Sequence, residues 1–354
     1  MIEEAMEELF FEENKKMGRR NIDPDGLFDA DERPVKRESY EKSDGEHKKI
    51  LYHYTSQGAI TNILRDDYIT LRCTFFECFN DISEGKVIKE VQDEVCRCLI
   101  FNESDDVKRE FLRKLKRTEL ESLAFDIREN TELNQKTYSI IQKGPQSYIC
   151  CFSNDPDSLP MWNYYSKDGH YEGYNIGLEI DDINEAMLEN KLIKNSVIRD
   201  VIYDKKEQKK LVHKLIKNQF GHACSLEGQD VPEEYKIELI NLSYIFKSSV
   251  FEHEKETRLI CEVREPEAPL NENKEKSDNK SIDINKDDPR IHFYIRHRVA
   301  VPYVEIKLKK SCLKSVTIGP SIEQKLGKKT FEMYLKENGY GDVKVNISKL
   351  PIRF

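Results

Sequence analysis

The chain lacks a long apolar segment: none of its 354 residues belong to a run that approaches the roughly 20 apolar residues needed to span a bilayer. Its first stretch, MIEEAMEELFFEENKKMGRR, is acidic and has no secretory pattern. We therefore expect a cytoplasmic protein that makes no membrane contact.

Motifs for metal ions and dinucleotides are also missing. The nine cysteines include no CxxC pair, and an odd number in a long chain without an export signal favours reduced thiols. The pairs Cys73/Cys78 and Cys96/Cys98 have no histidine at ligand spacing, so we expect no metal. The absence of a glycine-rich phosphate loop gives no support to a Rossmann-type dinucleotide site.

The sequence has no excess of basic residues. It contains 57 Lys and Arg against 66 Asp and Glu, a formal net charge of −9, which works against general attraction to phosphate backbones. Net charge thus does not indicate nucleic acid as a partner. The local basic stretch at Lys307, Lys309 and Lys310 is interpreted as a solvated strand edge.

Hydrophobic periodicity divides the chain into an extension and one domain. Residues 1–49 are too polar to hold a core and predict an extension that is partly helical or disordered. Residues 50–354 predict a single domain with a helical insertion at about 84–146, where apolar residues recur at helical spacing up to about Ile141. The stretch 264–289 is rich in charge, Asn and Pro and predicts a mobile loop.

Strands and helices follow one another without regular β-α alternation. An α+β fold with a mixed or mostly antiparallel central sheet is therefore the expected class. The expected strands have the sequences ILYHYT, YITLR, SYICCFS, GYNIGLEID, FEHEKETRLICEV, VPYVEIKL, SVTIGP and VKVNIS. In GYNIGLEID, apolar and other residues alternate, which indicates one covered face.

Two short polar segments lie at the ends of expected strands. LYHYTS contains His53, Tyr54, Thr55 and Ser56, which form either a strand end with Thr55 capping the next helix or a ligand site. CFNDISEG contains Asn80, Asp81 and Glu84, for which a turn and a helix start are the simplest interpretation.

A third segment combines a strand end with aromatic residues. After Ser153, a proline-bounded turn leads to the single tryptophan, Trp162, and to Tyr164 and Tyr165. Such a cluster is compatible with core packing and equally with stacking on a flat heterocycle. The sequence leaves both interpretations open.

The fourth segment, FEHEKETRL, carries charge inside an expected strand. Glu254, Glu256 and Arg258 alternate and would project from one face at successive spacings of about 6.6–7 Å. Because Leu259 and Cys261 belong to the other, core face, the charged set is expected to face a cleft or solvent. An ion-paired strand and a reactive carboxylate both fit this pattern.

In order, the motifs HYTS, FNDxxE, CFSxxxDxxxMWxxY, ExExR and IGP with a closing SKLPIR resemble a bacterial family, domain of unknown function 2971. The resemblance runs from about Ile50 to Phe354, with Phe251 where the family usually shows a tryptophan. That family is more remotely similar to the ADP-ribosyltransferase superfamily. The resemblance implies an ADP-ribosyltransferase-like fold. It also implies an enzyme that consumes NAD, either by transferring ADP-ribose to a macromolecule or by hydrolysing NAD. Such an enzyme would act as a toxin or a phage-defence effector.

The same resemblance implies roles for individual residues. His53 would bond the ribose of NAD, and Thr55 or Ser56 a hydroxyl or the nicotinamide amide. Trp162 or Tyr164 would stack on the nicotinamide ring. Glu256 would stabilise the positive charge on the ribose, with Glu254 as the open alternative, and Arg258 would keep it ionised or meet the pyrophosphate.

Two other functions compete with NAD consumption. A metal-dependent nuclease would use Asp81, Glu84, Glu254 and Glu256 as Mg²⁺ ligands. A non-catalytic sensor would bind a small ligand between HYTS and MWxxY, with the loop 264–289 as its lid.

Overall fold

A computed structural model describes residues 49–65, 67–79, 85–118, 125–132, 135–142, 147–165, 170–220, 231–263, 291–296, 298–341 and 343–352. The expected N-terminal extension, apart from Lys49, and the expected mobile loop 264–289 lie outside these ranges. So do Asn80, Asp81 and Glu84 of the second polar segment.

The described residues form twelve strands and eight α-helices. The strands are β1 (Ile50–Ser56), β2 (Tyr68–Phe75), β3 (Phe125–Glu132), β4 (Gln135–Gln142), β5 (Ser147–Ser153), β6 (Gly173–Glu179), β7 (Ile193–Asp200), β8 (Glu256–Val263), β9 (His292–Arg296), β10 (Val299–Lys309), β11 (Leu313–Ile318) and β12 (Lys344–Ile347). The helices are α1 (Gln57–Ile63), α2 (Val87–Asn102), α3 (Asp106–Arg117), α4 (Leu159–Tyr165), α5 (Ile180–Glu189), α6 (Lys205–Phe220), α7 (Glu233–Ser243) and α8 (Gln324–Glu337). None of the helices in the described part of the chain has the length and apolar character to cross a membrane.

Ten of the strands form one sheet, and β3 with β4 forms a separate hairpin. The main path through the sheet is β12-β11-β6-β1-β5-β2-β10-β9, and β8 joins β5 to β7. Among the described strands, β11 and β12 are the one parallel pair, and the rest are antiparallel. The expected α+β class with a mixed, mostly antiparallel sheet is confirmed.

The sheet is split beside β5. One edge of β5 pairs with β8 along its whole length, from Ser147 to Ser153. The other edge pairs with β1 only through Tyr52 and Ser153, and with β2 through Thr74 and Phe75. Strands β1 and β2 therefore diverge, and the sheet has a β1 lobe (β1, β6, β11, β12) and a β5 lobe (β2, β5, β7, β8, β9, β10).

Apolar residues fill the space on one side of both lobes. Leu51 and Ile176 from the β1 lobe and Cys73 and Leu259 from the β5 lobe belong to one buried cluster, and Ile60 of α1 packs into it. A second cluster joins α2, α3, α6 and α7. Burial of apolar surface in these two clusters is the main favourable contribution to folding.

The structure corrects the sequence prediction in three places. The helical pattern ends at Arg117, and residues 125–132 and 135–142 form the paired strands β3 and β4 instead of a helix. Strands β7 and β9 were not predicted. Each lies at a sheet edge, where β7 keeps polar residues such as Lys194 and Asn195 exposed and β9 keeps Phe293 and Ile295 exposed. Strand β6 is covered on both faces, since Asn175 and Glu179 are buried as well as its apolar residues.

Candidate functional site

A tight turn places two carboxylates side by side at the start of β8. A 3₁₀ turn over Ser249–Glu254 ends at Lys255, whose φ of 46° lies in the left-handed region. The chain then enters β8, where the Glu256 carbonyl accepts a hydrogen bond from Val201 N and the Glu256 amide donates one to the Tyr203 hydroxyl. The turn thus brings the side chain of Glu254 close to that of Glu256, although only Glu256 belongs to the strand.

Four charged side chains meet at this point, and we call them the charged tetrad: Lys247, Glu254, Glu256 and Arg258. Lys247 Nζ lies 2.6 Å from Glu254 Oε2 and 3.1 Å from Glu256 Oε2. Arg258 Nε donates to Glu256 Oε1 at 2.9 Å, and Nη2 donates to Oε2 at 3.0 Å, a bidentate pair. Arg258 Nη1 also donates to the Tyr244 carbonyl at 2.7 Å. Each cation therefore holds more than one acceptor.

The two carboxyl groups of the tetrad have opposite pKa shifts. Burial alone would raise the pKa of Glu256, but the Arg258 guanidinium and the Lys247 ammonium outweigh it and lower that pKa to about 2. Burial raises the pKa of Glu254, and Lys247 offsets this only in part. Adjacent carboxyl groups with divergent pKa values are frequent at reactive sites, where each takes a different role.

Burial contradicts part of the prediction for this segment. The side chains of Glu256 and Arg258 are 5% and 0% exposed, so neither faces a cleft or solvent as expected. They are covered because the face of β8 opposite the main core packs against Tyr244 and its neighbours. The side chain of Glu254 is 14% exposed and is therefore the more accessible of the two carboxylates. Its Oε2 accepts a hydrogen bond from Lys247 Nζ.

Tyrosines with exposed rings lie next to the charged tetrad. Tyr164 and Tyr165, at the end of α4, are 50% and 41% exposed. The Tyr164 hydroxyl is 2.8 Å from Nε2 of His253, the residue before Glu254. Burial around its hydroxyl, with the nearby charges of Cys151 and Glu256, raises the pKa of Tyr165 well above its usual value. This border of exposed rings can accept a flat ligand.

Trp162 and Tyr54 have a structural role. Trp162 is 1% exposed, and its Nε1 donates to Asp157 Oδ1 at 2.8 Å. Tyr54 packs edge-on against Trp162 at 4.8 Å between ring centroids, and its hydroxyl donates to the Asp155 carbonyl and accepts from Ser158 N. The implied stacking of Trp162 on a nicotinamide ring is therefore wrong, because its ring is enclosed.

His53 fills the split in the sheet. Its Nδ1 lies 3.0 Å from the Cys151 carbonyl oxygen, where β1 has separated from β5, and its ring packs edge-on against Phe152. Burial lowers the pKa of His53, but the adjacent Cys150 thiol raises it by more, and the pKa of Cys150 falls to about 6 through bonds from Cys73 and His53. In the described residues His53 contacts neither glutamate. This position does not match the ribose ligand that the resemblance implies.

The remaining predicted residues also serve the local structure. Thr55 is buried in β1 and does not cap α1, whose N-cap position is Ser56, without a side-chain capping bond. The Ser153 hydroxyl donates to the Glu254 carbonyl at 2.7 Å and accepts from Asp155 N, so it fixes the turn beside the charged tetrad.

Replacing His53 tests its structural role. We expect His53→Ala to lower the free energy of unfolding by about 1–3 kcal/mol, because the Cys151 carbonyl would lose its donor. Urea unfolding followed by circular dichroism measures this change. Ser56→Ala is the control and should shift stability by no more than about 0.5 kcal/mol, since Ser56 makes no capping bond. Equal stability of the His53→Ala variant and the wild type would contradict the role.

Sequence reasoning missed three members of the site: Lys247, His253 and Tyr203. Lys247 had a usable signal, because a single lysine follows the apolar run SYIF and precedes the two carboxylates by only a few residues. A lysine placed among buried apolar residues needs a carboxylate partner. His253 and Tyr203 carry no comparable signal, since their roles depend on the fold around the turn.

Comparison with known proteins agrees with the motif resemblance over part of the chain. Residues 161–259 match the family described as Protein of unknown function (DUF2971), a range from α4 to the first strand positions of β8. This part of the chain is similar to that family. Phe251, where the family usually shows a tryptophan, lies under Lys247 Nζ at 4.9 Å from its ring centroid. Searches of curated proteins and of solved structures found no match.

Proposed function

We propose that the chain cleaves the N-glycosidic bond of NAD and passes ADP-ribose to water or to a macromolecular acceptor. The motif resemblance supports this proposal from the sequence. The observation that carries it in the structure is the pair Glu254 and Glu256, two adjacent carboxyl groups with opposite pKa shifts beside exposed tyrosine rings.

The reaction requires a carboxylate near the ribose. When the bond between C1′ and the nicotinamide nitrogen breaks, its electron pair leaves with nicotinamide and positive charge develops on the ribose. A fixed carboxylate stabilises that charge more in the transition state than in the ground state. Water or an acceptor hydroxyl then bonds to C1′ and loses its proton, so that the products are nicotinamide, ADP-ribose or its conjugate, and a proton.

The structure favours Glu254 for this role. Both oxygens of Glu256 accept hydrogen bonds from buried cations, so Glu256 anchors Arg258 and Lys247. Glu254 is more exposed and follows His253, which is bonded to Tyr164. Arg258 is fully buried and bonded to Glu256 and the Tyr244 carbonyl, so it is not placed to bind the pyrophosphate.

Binding without turnover is the second candidate. It is favoured by the complete pairing of Glu256, which resembles a structural ion pair more than a reactive group. A metal-dependent nuclease is less favoured, because Lys247 and Arg258 already neutralise Glu254 and Glu256 and would repel Mg²⁺. Across the described ranges no three His, Cys, Asp or Glu side chains are grouped to hold a metal ion.

Nicotinamide release separates these candidates. Purified protein is incubated with NAD, with and without bacterial lysate, and nicotinamide and the masses of proteins and nucleic acids are followed. Release above that of heat-denatured protein supports the proposal, and a mass increase identifies the acceptor. Calorimetric binding of NAD without release would favour the sensor. Growth arrest on induced expression would test the toxin or defence role.

The ring of Tyr164 is expected to contribute to substrate binding. We expect Tyr164→Ala to raise KM for NAD about tenfold, because an exposed ring that stacks on a heterocycle would be lost. Tyr164→Phe is the matched control, since it removes only the hydroxyl bonded to His253 and keeps the ring. Steady-state kinetics measures both, and an equal KM for the alanine and phenylalanine variants would exclude stacking at this position.

A further inference from the structure

The outer face of the β5 lobe has a composition unlike that of the rest of the chain. In β2, β10 and β9, residues such as Leu71, Cys73, Val304 and Ile306 point into the main core. The alternate positions lie on the opposite face, and we call this set the outer sheet face. Its members are Tyr68, Thr70, Arg72, Thr74, His292, Tyr294, Arg296, Val299, Val301, Tyr303, Glu305, Lys307 and Lys309.

Aromatic rings form one part of the outer sheet face. His292 pairs with Tyr303 across β9 and β10, and their rings stack at 5.4 Å between centroids. Tyr294 lies 5.7 Å from Tyr303 on the next position of β9. Val301 and Tyr303 are buried, whereas His292 and Tyr294 are half-buried and keep part of their surface exposed.

Basic side chains border these rings. Arg72 is exposed, and its guanidinium lies 4.5 Å from the centroid of the Tyr303 ring. Lys307 is exposed on β10, diagonal to Arg72 across the strand pair. Arg296 lies 5.9 Å from the Tyr294 ring centroid. Of the thirteen positions on this face, Glu305 is the one acid, and its Oε1 lies 3.6 Å from Arg72 Nε. Lys309 is paired with Glu189 of α5. The face itself carries four cations, Arg72, Arg296, Lys307 and Lys309, against one acid, although the whole chain has a net charge of −9.

We propose that the outer sheet face binds single-stranded nucleic acid, with His292 and Tyr294 stacking on bases and Arg72 and Lys307 contacting phosphates. Rings interleaved with cations on an open sheet match unpaired bases joined by a charged backbone. An acidic polypeptide would form ion pairs with the cations but would offer no flat bases to stack on the aromatic rings. This proposal does not rest on NAD cleavage. The net charge of the whole chain gives no indication of it, because most of the acidic residues lie outside this face.

The test uses the full chain and fluorescein-labelled oligo(dT) and oligo(U) of about 20 nucleotides, followed by fluorescence anisotropy. We expect Arg72→Glu with Lys307→Glu to weaken binding by at least about tenfold, and to make the dependence of log Kd on log salt shallower by about 1.4. Tyr294→Ala should weaken binding about tenfold with the salt dependence unchanged. Lys191→Glu with Lys194→Glu, exposed residues near or on the distant strand β7, is the charge-matched control.

Three outcomes would overturn the proposal. The first is no binding of either oligonucleotide by the wild type at low salt. The second is an equal loss of affinity in the Lys191→Glu, Lys194→Glu control. The third is competition by poly-glutamate as effective as that by unlabelled oligonucleotide, which would assign the face to an acidic polypeptide. Circular dichroism of each variant confirms that the fold is retained, as expected for exposed positions.

Discussion

Glu256→Gln is expected to lower the free energy of unfolding by about 3–5 kcal/mol, because it removes the charge that compensates two buried cations. Gln keeps the shape of the side chain but cannot neutralise Arg258, which is fully buried. Urea unfolding at neutral pH measures the change. Glu110→Gln is the control, since its pair with Arg113 is exposed on α3 and should contribute less than about 1 kcal/mol.

The difference between wild type and Glu256→Gln should also depend on pH. The pKa of Glu256 is about 2 in the folded protein against an ordinary value of 4.5, so the stability it contributes is fully present above pH 4.5. It is lost as the pH falls from 4.5 towards 2, because in this window the unfolded state takes up the proton while Glu256 in the folded state stays ionised. A constant difference across this window, or an equal effect of Glu110→Gln, would contradict the buried ion pair.

The second large effect concerns catalysis. We expect Glu254→Gln to lower kcat for nicotinamide release by about 100- to 1,000-fold, as for the loss of one preorganised electrostatic group. The reason is that Glu254 is the tetrad carboxylate with access to a ligand. Its effect on stability should be smaller than that of Glu256→Gln, because Glu256 would still compensate Lys247 and Arg258.

Glu252→Gln is the matched control for this prediction, because Glu252 is exposed in the same 3₁₀ turn. Its kcat should equal that of the wild type. If folded Glu256→Gln protein loses activity while Glu254→Gln retains it, the two glutamates have the opposite roles. If the wild type binds NAD and none of the proteins releases nicotinamide, the site is a sensor.

The sequence predicted the elements of the fold better than their surroundings. Strands with a strong apolar pattern, such as the nearly continuous apolar run of β5 and the alternation in β11, were predicted because burial produces these patterns. Edge strand β7 was missed, since its pairing partner β8 is distant in sequence. The hairpin of β3 and β4 pairs neighbouring strands and was missed because its apolar residues were assigned to a helical pattern. The sequence also placed Glu254, Glu256 and Arg258 together but could not show which would be buried, because Lys247 and Tyr244 come from outside the motif.

Tertiary context explains the incorrect assignments of His53 and Trp162. A histidine and a tryptophan in short polar segments have the same local sequence whether they bind a ligand or complete the interior. His53 reaches the Cys151 carbonyl because β1 diverges from β5. Trp162 reaches its hydrogen-bond acceptor, Asp157, because the loop after β5 places Asp157 beside it. The hydrophobic periodicity of the sequence predicts neither of these two contacts.

The split in the sheet also has a mechanical consequence. One residue pair, Tyr52 with Ser153, joins β1 to β5, so a change of angle between the lobes would break one pair and leave every longer ladder intact. The stiffness of this joint therefore comes from the hydrogen bond between His53 Nδ1 and the Cys151 carbonyl and from the apolar side chains that both lobes share, including Leu51 and Leu259. The packing density of those side chains therefore governs flexibility at the joint. Loss of a single methyl group there would let the angle between the two lobes vary more widely.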